Sequence, residues 1–258
     1  MKIDISKLSY SYNGKKDVFR NVSFSMHAGE IISIIGPNGI GKTTLLNCIM
    51  KLITPTSGEI WIEGKDMMSM SYQEVAQAIS FVPQSIIPSF DYSVLEYVVT
   101  GCAPRLGVFE RPKEKHYALA KDAIEQMEIT HLIHKPYTKL SGGELQLVSI
   151  ARAITQQAKI ILMDEPTSHL DYGNQIKVLR LIKKMVNKGY GIILTTHNPD
   201  HALLLQGKVA AFDRNGDFHF GECNQILNED LLHLIYGIPL HLLRDEEVNR
   251  VVCVAPNL

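Results

Sequence analysis

The sequence predicts an α/β fold, and three observations support that prediction. Runs of apolar and β-branched residues recur at Ile31–Ile35, at 159–164 and at Gly191–Thr196, which is typical of parallel strands covered on both faces. A glycine-rich loop follows the first run and opens a helical pattern. From about residue 85 to 157 the apolar residues recur at helical spacing, which predicts a helical insertion in the α/β core.

The first part of the chain predicts β-structure. Val22, Phe24 and Met26 alternate with polar residues, as expected for a half-buried strand. The segment 59–63 predicts a further short strand, which a turn at Gly64 closes. We therefore expect an N-terminal β subdomain beside the core.

The helical insertion is predicted to contain helices at 94–100 and 113–127. In the second helix, Ala120, Ala123 and Ile124 belong to an apolar set that repeats every three or four residues. Such a set forms one face of a helix, and we expect that face to pack against neighbouring helices.

The C-terminal part predicts a hairpin and a short tail. Segments 208–213 and 218–220 flank Asn215-Gly216, a dipeptide that favours a tight turn between antiparallel strands. From Asn228 onward we expect a short helix followed by extended chain.

The length is compatible with one large domain. A chain of 258 residues can bury one substantial core and carry an insertion. We expect 1–84 and 158–258 to form the α/β core with its β subdomain, and 85–157 to form the helical subdomain.

The composition disfavours several classes of protein. The net charge of −1 lacks the basic excess of proteins that hold nucleic acid. No apolar signal region and no run of about 18 uncharged apolar residues appears, so neither a signal peptide nor a membrane span is expected. The cysteines form no C-x-x-C pair, so we expect reduced thiols rather than a zinc ribbon or redox motif. They are Cys48, Cys102, Cys223 and Cys253.

The glycine-rich loop matches the phosphate-binding pattern G-x-x-x-x-G-K-[ST] from Gly36 to Thr43. An apolar strand precedes the loop and a helix at 42–52 follows it, which disfavours a chance glycine-rich turn. We expect Lys42 to reach the β- and γ-phosphates of a nucleotide and the Thr43 hydroxyl to bind Mg²⁺. The expected nucleotide-binding residues are Gly36, Pro37, Asn38, Gly39, Ile40, Gly41, Lys42, Thr43 and Thr44.

Two adjacent carboxylates, Asp164 and Glu165, end the second apolar run. Carboxylates beside buried strands are costly unless their charge is used. A nearby Mg²⁺ and ATP would use it: Asp164 would assist the metal through its water shell, and Glu165 would orient or deprotonate the attacking water. The alternative is a helix N-cap after the strand.

A second glycine motif, Leu140-Ser141-Gly142-Gly143-Glu144, lies upstream of the acidic strand end. Together with the phosphate loop, it resembles the signature motif of ABC-type ATPases, and the resemblance covers nearly the whole chain with every motif in the family's order. It implies an antiparallel β subdomain beside a P-loop NTPase core. The commonest signature ends in Gln, whereas this one ends in Glu144, as in some importer subunits.

The resemblance also implies roles for residues that are weak indicators by themselves. Tyr12, rather than Tyr10, would stack on adenine, and Gln84 would sense Mg²⁺ and the attacking water. His197 would contact the γ-phosphate, and Asp171 would belong to the D-loop. Without the resemblance, Tyr12 could be an ordinary strand tyrosine, Gln84 a strand end and His197 a structural histidine. Ser141 could equally be a helix N-cap.

In the family, the signature of one subunit completes the phosphate site of another. The implied partners are a second ATPase subunit, with a homodimer expected, and a polytopic membrane permease fed by a substrate-binding protein. ATP and Mg²⁺ are the implied cofactors, and the cytoplasmic face of the cell membrane is the implied location.

Segments 88–101 and 166–175 further resemble importers of metal chelates, such as iron–siderophore, haem and cobalamin, and of oxyanions such as molybdate. The alternatives are an exporter subunit and, less favoured, a soluble ABC ATPase that acts on nucleic acid or ribosomes. His131 and His134 lack a third nearby ligand, which disfavours a metal site there.

Overall fold

The computed structural model describes residues 1–14, 16–87 and 90–257. The strands are β1 Lys2–Tyr10, β2 Phe19–His27, β3 Ile31–Ile35, β4 Ser57–Ile62, β5 Lys65–Asp66, β6 Ile79–Val82, β7 Ile160–Met163, β8 Gly191–Thr196, β9 Lys208–Phe212, β10 Phe218–Glu222, β11 His241–Asp245 and β12 Arg250–Val254. The helices are α1 Lys42–Ile49, α2 Tyr72–Ala78, α3 Val94–Val99, α4 Glu114–Gln126, α5 Gly142–Thr155, α6 Tyr172–Asn187, α7 Pro199–Leu205, α8 Cys223–Ile226 and α9 Glu229–Tyr236.

The core sheet has the strand order β10-β9-β3-β8-β7-β6 over the described residues. β3 pairs in parallel with β8 and β9, and β7 pairs in parallel with β8 and β6. Every residue of β3, β7 and β8 is buried, because helices and the second sheet cover both faces. The carboxyl ends of β3, β7 and β8 therefore lie side by side at one edge, where open α/β sheets bind their ligands.

The N-terminal strands form an antiparallel sheet in the order β2-β1-β4-β5, which confirms the predicted β subdomain. Val22, Phe24 and Met26 are all buried, as their alternation predicted. They share one apolar cluster with Ile32 of β3 and Leu45 of α1, so this sheet packs against the core beneath the phosphate loop.

The helices α3, α4 and α5 pack on one another and complete the predicted helical part of the fold. Their contacts include Val98 of α3, Ala120 and Ile124 of α4, and Val148 of α5, all fully buried. α4 occupies Glu114–Gln126, close to the predicted 113–127. The residue bounds assigned to the two subdomains remain a prediction.

The C-terminal part contains both predicted features and one addition. β9 and β10 form the hairpin expected around Asn215-Gly216, with Phe212 opposite Phe218. The predicted short helix is α9, but the extended segment after it folds back as the antiparallel pair β11 and β12. Two short strands that pair satisfy each other's backbone groups. In the parts of the chain that the structure describes, no helix is long and apolar enough to cross a bilayer.

Candidate active site

The loop between β3 and α1 wraps closely around a small space. Gly36 and Gly41 have φ angles of 156° and 106°. A side chain at Gly41 would come within 2.5 Å of Val18, and one at Gly36 within 2.9 Å of the Phe212 carbonyl, so both positions require glycine. The loop leads directly into the N-terminus of α1, and backbone N–H groups in such an arrangement can bind an anion.

Lys42 begins α1 and lies over this loop. Its Nζ donates hydrogen bonds to the carbonyl oxygens of Gly36 and Pro37 at 2.8 and 3.0 Å. Burial lowers the pKa of the ammonium, and the carboxylates of Glu165 and Asp164 partly offset that effect. A buried ammonium group therefore lies beside the loop.

The start of α1 and the residue that follows β7 are joined by a short hydrogen bond. The Thr43 hydroxyl donates to Oδ2 of Asp164 at 2.7 Å, and the Asp164 side chain is almost fully buried. Its other oxygen, Oδ1, accepts from the Thr195 hydroxyl at 2.6 Å. The Thr195 oxygen in turn accepts the N–H of Glu165 at 2.8 Å.

Thr195 is a site residue that sequence reasoning did not identify. It is fully buried near the end of β8 and contacts both acidic residues that follow β7. The available signal was a pair of threonines ending an otherwise apolar strand, next to the predicted acidic strand end.

Glu165 is held in an unusual backbone conformation with its carboxylate between two polar side chains. Its φ is 43°, in the left-handed region that non-glycine residues seldom adopt. Gln84 Nε2 donates to Oε2 of Glu165 at 3.0 Å, and His197 Nδ1 lies 3.5 Å from the same oxygen. Strain of this kind is typical of functional sites. The helix N-cap alternative is wrong, because Asp171, not Asp164 or Glu165, caps α6.

Tyr12 borders the same space from the β subdomain. Its side chain is 69% exposed, and its hydroxyl lies 3.2 Å from the Thr44 hydroxyl. The ring meets Tyr10 edge to face at 5.0 Å. Most of the Tyr12 side chain is therefore accessible to a flat ligand.

Two adjoining cavities are lined by most of the side chains described above. One of about 460 Å³ is bordered by Tyr12 and the phosphate loop, and one of about 420 Å³ by His197 and the 167–169 turn. Both are also lined by Asn38, Gln84 and Glu165. The structure thus brings most of the predicted site residues to one edge of the core sheet.

The signature residues lie elsewhere in the same chain. Ser141 caps α5 in a reciprocal arrangement, since it and Glu144 each accept the other's backbone N–H. The Ser141 N–H is the main cause of a lowered pKa at Glu144. Among the described residues that line the two cavities, Ser141, Gly142 and Gly143 do not appear.

His201 supports the loop after β8. It is buried, and its Nδ1 lies 3.1 Å from the Thr196 hydroxyl and 3.3 Å from the Thr167 hydroxyl. Burial lowers its pKa to about 4. Within the described ranges, no group of three or more His, Cys, Asp and Glu side chains is placed to hold a metal ion.

Comparison with known proteins places this arrangement in context. The family model described as "ABC transporter" matches residues 19–168. The molybdate import ATP-binding protein MolC of Haemophilus influenzae is 34% identical over 239 residues, which cover 92% of this chain and 89% of MolC.

Two solved structures share the fold. A metal-chelate type ABC transporter in an inward-facing conformation superposes with a TM-score of 0.88 at 31% identity, covering 99% of this chain and 97% of the other. A dimeric ATP-binding cassette bound to ADP and phosphate superposes with a TM-score of 0.73 at 27% identity, covering 86% and 98%.

Proposed function

Because the chain belongs to the ABC transporter family, whose ATP-binding domains hydrolyse ATP to power transport, we propose that it is the motor subunit of a binding-protein-dependent importer. The cargo we propose is a metal chelate or an oxyanion such as molybdate. One observation carries the motor role: Thr43, Asp164 and Glu165 converge at one sheet edge, beside the cavity that Lys42 borders.

In this proposal the loop from Gly36 to Gly41 cradles the phosphates through its backbone N–H groups. The Lys42 ammonium turns from its loop carbonyls to the β- and γ-phosphates, where it forms charge-assisted hydrogen bonds. The exposed ring of Tyr12 stacks on adenine. The presence of Tyr12, Lys42 and the phosphate loop around one cavity of about 460 Å³ supports a nucleoside triphosphate as ligand.

The donor set beside the phosphate loop fits Mg²⁺. The Thr43 hydroxyl and the buried Asp164 carboxylate lie 2.7 Å apart. Thr43 and Gln84 both line the cavity of about 460 Å³, so hard oxygen donors are concentrated beside it. Thr43 would bind the ion directly, and Asp164 and Gln84 would assist. When bound, Mg²⁺ neutralises charge that develops on the phosphate oxygens.

Glu165 is proposed as the base. Its carboxylate accepts a proton from the attacking water while the water oxygen bonds to the γ-phosphorus and the bond to the β,γ-bridging oxygen breaks. Gln84 and His197 both approach Oε2 of Glu165, so they can orient the carboxylate and the water together. His197 would also contact the γ-phosphate.

The proposed site is completed by a second copy of the chain. Ser141, Gly142 and Gly143 form the N-terminus of α5, which suits a γ-phosphate but does not line the cavities of its own chain. A head-to-tail pair related by a two-fold axis would bring each signature to the other's phosphate loop. Asp171 of the D-loop would lie at that interface.

The importer role rests on relatives. MolC is named for molybdate import, and the solved structure that superposes on 99% of this chain is of metal-chelate type. We propose a polytopic permease as membrane partner, a substrate-binding protein as its indirect partner, and the cytoplasmic face of the cell membrane as location.

A tagged pull-down from native membranes tests this function. We expect a polytopic membrane protein to co-purify and to raise the ATPase rate of the subunit. The untagged strain controls for carry-over of abundant membrane proteins. Recovery of only soluble partners, ribosomes or DNA would contradict the importer role and leave the ATPase chemistry standing.

A further inference from the structure

The C-terminal segment 229–254 packs onto the core close to the loop that carries His197. Leu231, Leu232 and Ile235 of α9 are buried in one cluster with Ile35 of β3 and Ala202 of α7. The Leu242 N–H of β11 donates to the Glu229 carboxylate at 3.0 Å, which joins the terminal hairpin to α9. The segment is thus a fixed part of the fold.

Tyr236, the last residue of α9, makes a direct contact with this loop. Its hydroxyl donates a hydrogen bond to the backbone carbonyl of His197 at 2.9 Å. The His197 side chain is 58% exposed and lies 3.5 Å from Glu165. The position of an exposed imidazole depends largely on the backbone that carries it. The hydrogen bond from Tyr236 therefore fixes the backbone that positions the His197 ring.

Tyr236 is itself well fixed. Gly237 ends α9 in the left-handed conformation, with its N–H bonded to the His233 carbonyl at 2.7 Å. The Arg214 guanidinium donates to the Tyr236 carbonyl, and the Arg214 N–H donates to the Leu234 carbonyl at 3.3 Å. Burial raises the pKa of the Tyr236 phenol, so it remains a donor throughout the neutral range.

A second contact holds the same loop from its other end. The Cys253 N–H of β12 donates to Oδ1 of Asp200 at 3.0 Å. The Asp200 N–H donates to the Asn198 side chain at 2.9 Å. The C-terminal segment is therefore hydrogen-bonded to both ends of the loop 197–200.

We propose that Tyr236 is a positioning residue for His197 and that the C-terminal segment thereby sets the rate of ATP hydrolysis. This inference rests on the proposed contact between His197 and the γ-phosphate. Because that contact forms with ATP and not with ADP, loss of the Tyr236 hydroxyl should affect hydrolysis while leaving ADP binding intact.

The test is Tyr236→Phe in the full chain, which keeps the ring and removes the hydroxyl. We expect kcat for ATP to fall about three- to tenfold, because small misplacements of catalytic groups have large effects on rate. The KM for ATP and the Kd for ADP should stay within about twofold. The ADP-binding stoichiometry by calorimetry should match the wild type, whereas loss of folded protein would lower it. The matched control is Tyr190→Phe, which should keep the wild-type kcat. Tyr190 is half-buried against the apolar cluster that α3, α4 and α5 share.

His197→Ala, measured in parallel, distinguishes failure of the inference about Tyr236 from failure of the proposed role of His197. A loss of kcat in both variants supports the inference. A loss in His197→Ala with wild-type kcat in Tyr236→Phe would overturn the inference alone. Wild-type kcat in His197→Ala would reject the proposed role of His197, and the inference with it.

Arg214→Gln provides a second route if Tyr236→Phe does not fold. It removes the guanidinium that holds the end of α9 but leaves the Tyr236 hydroxyl in place. The same split between kcat and ADP affinity is expected, and wild-type kcat in this variant would overturn the inference.

Discussion

The Thr195 hydroxyl donates a 2.6 Å hydrogen bond to Asp164 from the neighbouring strand of the core sheet. The same oxygen accepts the N–H of Glu165 at 2.8 Å. A single buried hydroxyl therefore fixes one carboxylate and the strained backbone of the next residue. Both acidic groups of the proposed ATPase site depend on it.

Thr195→Val should damage the site while keeping its shape. The substitution leaves Asp164 Oδ1 without its donor and the Glu165 N–H without its acceptor, which costs about 1–3 kcal/mol for each buried group. We expect a lower free energy of unfolding in urea and a kcat at least about tenfold lower. Thr195→Ser retains the hydroxyl and should recover most of the rate; equal loss in the two variants would argue against the hydroxyl.

Lys42→Ala should weaken nucleotide binding because it removes the charged contact that we propose with the phosphates. Hydrogen bonds to charged groups contribute about 1.5–3 kcal/mol, so calorimetry should give an ATP affinity at least about tenfold lower. Lys121→Ala, an exposed lysine on α4, is the control. Unchanged ATP affinity in Lys42→Ala would contradict the proposed contact.

Glu165→Gln should bind ATP but release phosphate very slowly. The amide keeps the size of the side chain yet cannot accept the proton of the attacking water, so a fall of about 100-fold or more is expected. The exposed Glu125→Gln on α4 is the matched control. Near-normal phosphate release would remove Glu165 from the role of base.

His201 should make the fold sensitive to mild acid. Burial, with a smaller contribution from His197, lowers its folded pKa to about 4, and Asp200 acts in the opposite direction. Below pH 6.5, which is about the pKa of His201 in the unfolded chain, the unfolded chain binds a proton that the folded chain does not. The free energy of unfolding therefore falls as the pH is lowered from about 6.5 to about 4.

Between about pH 7.5 and pH 5, this group should remove about 2 kcal/mol from the free energy of unfolding. Urea unfolding at the two pH values measures the loss, and His201→Gln should reduce it. An identical pH dependence in His201→Gln would show that other groups are responsible.

The sequence predicts the parts of this site whose signal is local. The phosphate loop is a contiguous pattern, and Asp164-Glu165 ends a recognisable apolar strand. Thr195 could not be assigned, because its contacts depend on β7 and β8 being neighbours in a register that pairs Met163 with Leu194. Strand order is a property of the whole sheet and leaves little trace in the residues that separate two strands.

The contact between Tyr236 and His197 could not be predicted from the sequence for a similar reason. It joins residues 39 positions apart through a carbonyl oxygen, which every residue carries. The tail's hairpin was also missed, because its strands are short and contain no buried residue, and therefore lack the alternation of a half-buried strand. Side-chain patterns reveal burial, whereas these features depend on backbone partners.

ATP-dependent pairing tests the central claim, that a second copy completes the site. Gly142 is suited to the test, because a side chain there meets nothing within 4 Å in its own chain and should not disturb the fold. Sedimentation of Glu165→Gln should show a dimer with ATP and Mg²⁺ and a monomer with ADP. Glu165→Gln combined with Gly142→Val should keep the same melting temperature and stay monomeric. A monomer at saturating ATP in Glu165→Gln, or an undiminished dimer in the double variant, would contradict the composite site.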